Sequence, residues 1–110
     1  MITIDYKTNY AVVSIAAEKL DGTISQELKS EFIKINSRDI NTILVDLSHN
    51  KYCDSSGLSA LLVGNRLCKN SGGKFFITSL QENVAKLIQI SQLDTVLLIS
   101  PTVADAEAKI

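Results

Sequence analysis

The sequence predicts an α/β fold: a mixed, mostly parallel β-sheet with an N-terminal hairpin, in the order β-β-α-β-α-β-α-β-α. Three observations carry that prediction. The first residues alternate apolar and polar at period two. After Gly22 the chain switches between short apolar runs and stretches whose apolar residues recur every three or four positions. One run, Thr42–Leu47, is nearly continuously apolar, as a strand covered by helices should be. At 110 residues the chain suits one domain, residues 1–110, with enough length to bury a sizeable core.

The elements follow in order. Ile2, Ile4 and Tyr6 alternate with polar neighbours, and Lys7-Thr8-Asn9 turns the chain into Ala11-Val12-Val13-Ser14-Ile15, rich in β-branched residues. A hairpin is expected there. Ile24, Leu28, Phe32 and Ile35 then mark one face of a helix, with Glu27, Lys29, Glu31 and Lys34 opposite and Thr23 or Ser25 as its cap. The Thr42–Leu47 strand leads into a polar loop, Ser48–Tyr52. Asp54-Ser55-Ser56-Gly57 opens a second helix carrying Leu58, Leu61, Leu62 and Leu67, and Ser71-Gly72-Gly73 stops it. Lys74–Thr78 reads as a strand. Val84, Leu87, Ile88 and Leu93 mark a third helix, Thr95–Ile99 a last strand, and Pro101 the opening of a final helix with Val103, Ala104, Ala106 and Ala108. After the hairpin, strict alternation implies parallel pairing within one sheet.

Composition narrows the functional classes. A net charge of -1 without a basic stripe argues against nucleic-acid binding. The N-terminus has no basic start followed by a long apolar stretch, and Val96-Leu97-Leu98-Ile99 is far too short to cross a bilayer. A cytoplasmic protein without direct membrane insertion is expected. Cys53 and Cys68 have no metal-ligand spacing and read as reduced, packed thiols. A monomer is expected, since no long exposed apolar stripe is evident.

In an open α/β sheet, function gathers at the loops leaving the carboxyl ends of the strands. Asp21 follows the second strand, Asp46 ends the third, and Asp54 directly precedes the second helix, where Ser55 and Ser56 stand. Two readings meet at Asp54-Ser55-Ser56-Gly57. Asp and Ser are ordinary helix caps. Alternatively Ser55 is a functional serine, and a phosphate there would meet the unpartnered first-turn amides as well as nearby carboxylates.

The ordered combination weighs toward function. Ile43-Leu44-Val45-Asp46-Leu47-Ser48, a polar loop, and Asp54-Ser55-Ser56-Gly57-Leu58 resemble the STAS domain, found in bacterial anti-sigma factor antagonists and in sulphate transporters. The likeness spans the chain, from the hairpin through Leu20-Asp21 and Gly72-Gly73 to the closing helix. It implies that Ser55 is a phospho-acceptor for a partner that is both anti-sigma factor and serine kinase. The unphosphorylated form would bind that partner and the phosphorylated form release it, with a serine phosphatase as a further partner. Asp21, Asp46, Asp54, Ser56 and Gly57 would form the partner-binding rim, and no cofactor or metal is implied. One departure is Glu18, three residues before Asp21, where the family usually has glycine; a turn needing positive φ would be strained there. The resemblance equally admits a non-switching adaptor subunit of a transport system or larger signalling complex.

An enzyme is not expected. The chain has one histidine, His49, and no Gly-x-Ser-x-Gly elbow around Ser55. Gly73-Lys74 lacks the upstream glycine of a phosphate-binding loop. His49 and Lys51 are assigned no role.

Overall fold

The computed structural model describes all residues, 1–110. Strands β1 (Ile2–Tyr6) and β2 (Ala11–Ile15) form the expected antiparallel hairpin. The chain continues through β3 (Lys19–Leu20), α1 (Ser25–Ser37), β4 (Ile43–Asp46), β5 (Tyr52–Cys53), α2 (Ser55–Asn70), β6 (Phe75–Thr78), α3 (Glu82–Ile90), β7 (Leu98–Ser100) and α4 (Val103–Glu107). The main sheet has the order β1-β2-β4-β6-β7, parallel everywhere except the hairpin.

Each parallel crossover steps in the same direction across this sheet, which places α1, α2 and α3 on one face. Their apolar stripes meet alternate strand residues there: Leu28, Phe32 and Ile35 of α1, Leu61 and Cys68 of α2, and Val84 and Ile88 of α3 pack with Val13, Ile15, Ile43, Val45, Phe75 and Ile77. The rings of Phe32 and Phe75 meet edge to face at 5.5 Å. The other face is thinner. Val12, Leu44 and Phe76 are covered there by Ala106 and Val103 of the short α4. Two covered faces explain why the β4 run is apolar without interruption.

Several local expectations are corrected. There are two sheets, because β3 and β5 pair in parallel as a separate two-stranded ladder outside the main one. Tyr52, read as loop, belongs to it. Neither Thr23 nor Ser25 caps α1 with its side chain; the Ile24 and Ser25 amides donate instead to the Asp21 carbonyl. Leu93 lies in a 3-10 turn, Leu93–Thr95, and not in α3. This turn consumes Thr95 and delivers Leu97 into the core, so the last strand starts at Leu98 and not at Thr95. Pro101 stands two residues before α4 and not at its first position; Thr102 caps the helix, its hydroxyl accepting from the Asp105 amide.

Candidate functional site

The carboxyl ends of β2, β4 and β6 lie in register at Ser14, Asp46 and Thr78. Beyond them the chain builds a corner from the β3–β5 ladder and the first turn of α2. The Glu18 carbonyl accepts from both the Lys51 and Tyr52 amides, at 2.8 and 3.1 Å, and the Leu20 carbonyl accepts from the Asp54 amide at 3.2 Å. The chain is thereby held until α2 begins.

Asp54 is the N-cap of α2. Its Oδ1 accepts from the amides of Ser56 at 2.9 Å and Gly57 at 3.1 Å, so the capping reading of this residue is correct. The consequence revises the expected fate of a phosphate on Ser55: two of the three first-turn amides are already taken by a carboxylate. Ser55 itself is exposed, and its hydroxyl has no hydrogen-bond partner within the chain. Ser56 is half-buried, and its Oγ lies 3.7 Å from where a Cβ on Gly22 would stand. The turn after Asp21 and the start of α2 are therefore neighbours.

Gly57, expected on a partner-binding rim, is buried beneath the first turn of α2 and presents no surface there. A Cβ there would stand 2.2 Å from the Leu20 carbonyl oxygen and 2.8 Å from Cys53 Sγ. Only glycine lets α2 start this close to β3. Leu58 is half-buried and packs against the main core, as expected.

Asp21 closes the other side. Its Oδ1 accepts from the Thr23 amide at 3.0 Å and the Thr23 hydroxyl at 2.6 Å. These bonds, with a smaller contribution from the positive charge of Lys19, hold its carboxyl below the ordinary carboxylate range. Lys19, Leu20, Asp21, Tyr52, Cys53 and Asp54 together line a shallow cleft of about 150 Å³. Burial, then the Asp54 charge, push the Cys53 thiol up to about 12, so it stays protonated and unreactive at neutral pH. Burial does the same to Cys68, also up to about 12.

Asp46 is at the end of β4 and half-buried, but its carboxylate turns back on its own loop, accepting from the Ser48 amide at 3.0 Å. No hydrogen bond joins it to Asp21, Asp54 or Ser55. The structure thus brings Asp21, Asp54, Ser56 and Gly57 to one corner with Ser55, while Asp46 is tied to its own loop. The strain expected at Glu18 is absent, because Glu18 is not among the residues with positive φ (Asp39, Ser79, Gln92 and Gly72). Its side chain pairs instead with Lys51 at 3.9 Å on an exposed surface. His49 is exposed and makes no side-chain hydrogen bond. No group of three His, Cys, Asp or Glu side chains is placed to hold a metal, and no helix is long and apolar enough to cross a membrane.

Two contributors were invisible in the sequence. The β3–β5 ladder is too short to show any period. Asn50 looks like one more polar loop residue, yet it is fully buried.

This architecture is that of a known class of domain. The family model for the STAS domain matches residues 2–106, and the chain belongs to that family. Among solved structures, an anti-sigma factor antagonist from Mycobacterium paratuberculosis superposes with a TM-score of 0.88 at 19% identity, covering 100% of this chain and 92% of that one. The Bacillus cell fate determinant SpoIIAA in its phosphorylated form superposes with a TM-score of 0.76 at 17% identity, covering 99% and 98%. The murine anion transporter Slc26a9 contains the same fold within a larger chain, with a TM-score of 0.78 at 17% identity, covering 94% of this chain and 18% of that one. At these identities the likeness is one of fold.

Proposed function

We propose that this STAS domain is a cytoplasmic anti-sigma factor antagonist working by partner switching. Unphosphorylated, it binds an anti-sigma factor with serine kinase activity and so frees a sigma factor; phosphorylated on Ser55, it releases that partner until a phosphatase resets it. The observation that carries this reading is the setting of Ser55: an exposed, unpartnered hydroxyl on the first turn of a capped helix, directly after Asp54 and next to Ser56, which neighbours the turn after Asp21.

A kinase needs a hydroxyl that is accessible and not already engaged, and Ser55 is both. After transfer, the phosphate adds roughly -1.5 to -2 charge at neutral pH. Because Asp54 already occupies the Ser56 and Gly57 amides, the fold has little with which to absorb that charge. The dianion remains on the surface next to the Asp54 carboxylate, at the corner whose cleft also holds Asp21 and a single cation, Lys19. A partner covering Ser55 would have to bury like charges together, at several kcal/mol unless it supplied cations, and about 1.4 kcal/mol is tenfold in affinity. Release therefore needs no change of fold. The reading as a binding module is supported by the Ser55 hydroxyl itself, which is hydrogen-bonded to no carboxylate and not to His49, so no paired base activates it. The structural likeness to SpoIIAA in a phosphorylated form supports the same reading.

The test is a quantitative pull-down with wild type, Ser55→Ala and Ser55→Asp as parallel baits. Capture of an ATPase-fold kinase by the first two and its loss with Ser55→Asp is the expected result. The likeness to a part of the anion transporter Slc26a9 favours one rival, a non-switching adaptor of a transport system or signalling complex. Equal capture of transporter subunits by all three baits would establish that reading and leave Ser55 as part of a helix start.

A further inference from the structure

The segment that presents Ser55 leans on a ladder of only two residue pairs, Lys19 with Tyr52 and Leu20 with Cys53. Two short strands are marginally stable by themselves. Beneath the ladder lies Asn50, fully buried although its neighbours Ser48, His49, Lys51 and Tyr52 are all exposed. Its Nδ2 donates to the carbonyl oxygens of Ala17 and, at 3.4 Å, of Ile15. Both partners are acceptors, which fixes the orientation of the side-chain amide. These are the only hydrogen bonds between the segment leaving β4 and residues 15–17, where β2 exits the main sheet. The Asn50 Oδ1, in contrast, has no donor within the chain.

An amide buried with one end unmatched is a poor source of stability. What it supplies is geometry. Through Asn50 the exit of β2 is tied to the loop; through Glu18 and Leu20 the loop is tied to β3; through Asp54 that ladder is tied to the first turn of α2. We propose that Asn50 is the positioning residue for the Ser55 turn, locking the β3–β5 ladder onto the main sheet so that Ser55 is offered in one fixed place. The local ordering stands on the hydrogen bonds alone; its consequence for phosphorylation rests on the switch reading above.

Amide hydrogen exchange on the full chain tests the ordering, with Asn50→Ala, Asn50→Leu and, as a core control far from the ladder, Ile35→Val. Leu keeps the volume of the site should Ala leave a void that prevents folding. The Asn50 variants should exchange at least tenfold faster at the Tyr52, Asp54, Ser56 and Gly57 amides, with α1 and β1 unchanged. The control should leave those four amides alone. With the captured kinase, the kcat/KM for Ser55 should fall about tenfold in the Asn50 variants and stay level in Ile35→Val. Unchanged exchange at these amides, or a rise spread evenly over the chain, overturns the proposal. So does faster local exchange with unchanged kcat/KM. Should no kinase act on wild type, the switch reading falls, and the exchange pattern alone decides whether Asn50 orders this turn.

Discussion

Helix α2 is built differently at its first turn and along the rest of its length. From Ala60 to Cys68 it is held by apolar packing: Ala60, Leu61 and Cys68 are fully buried, and Gly64 lets it press against Phe32 and Phe75. From Asp54 to Gly57 it is held by polar bonds, with Asp54 capping it, Leu20 accepting the Asp54 amide and Gly57 set directly against the Leu20 carbonyl. Packing is non-directional and gives stability; hydrogen bonds are directional and fix where one hydroxyl points. The difference teaches that stability and presentation of Ser55 reside in separate parts of one helix, so mutations should separate them.

The largest effect belongs to the packing against which the length of α2 rests, through Phe32 of α1. Phe32→Ala should destabilise the fold by about 3–5 kcal/mol, because it removes a fully buried ring and its contact with Phe75. Chemical denaturation would show a lower midpoint with an unchanged slope. At temperatures where the variant remains folded, partner binding should match wild type; a loss of affinity in the folded variant would break the separation.

Gly57→Ala comes next, and it should damage both properties. The added Cβ would meet a backbone oxygen, Leu20 O at 2.2 Å, which cannot rotate away as a side chain can. The start of α2 must move off β3, at about 1–3 kcal/mol. Partner capture should fall well below that of Ser55→Ala, although no side chain of the rim has been removed. Capture equal to wild type would mean that the spacing between α2 and β3 does not matter for docking.

How much was legible beforehand follows the same division. The packed part could be read, because Leu28, Phe32 and Ile35 repeat with the helix, Leu58, Leu61, Leu62 and Leu67 mark α2, of which Leu61 is fully buried and the others partly so, and the run at Ile43–Val45 marks a strand covered on both faces. The polar corner could be read only where a residue type has a single strong preference, as Asp54 does at an N-cap. Asn50 has none: its burial depends on Ile15 and Ala17, 35 and 33 residues away. Lys19–Leu20 becomes a strand only because Tyr52–Cys53 lies beside it. Leu93 carries the apolar character of a helix, yet the chain turns at Gln92 in a left-handed conformation and breaks the period. Glu18 suggested strain because glycine usually implies positive φ, and here the backbone takes an ordinary conformation.

A smaller effect sharpens the comparison within the corner. Asp54→Ala should lower stability by about 0.5–2 kcal/mol, the usual range for losing an N-cap. It also frees the Ser56 and Gly57 amides. A phosphate on Ser55 would then have donors within its own chain, so phosphorylation should stabilise Asp54→Ala more than wild type. Thermal melting of both proteins with and without phosphate measures this; equal shifts would show that the occupied amides do not govern where the charge goes.

The smallest effect is at Asp21, and its pH dependence identifies its origin. The bonds from Thr23 hold the folded-state pKa below that of the unfolded chain. A carboxyl so depressed contributes stability that is fully present above its unfolded value, about 3.9, and is lost as pH falls through its lower folded value. Asp21→Asn should therefore be less stable than wild type near neutral pH, with the gap closing below about pH 4 as wild type takes up the proton. Denaturant midpoints for the two proteins between neutrality and pH 2 would trace it. A gap that stays constant would mean that the side chain matters for its shape and not its charge.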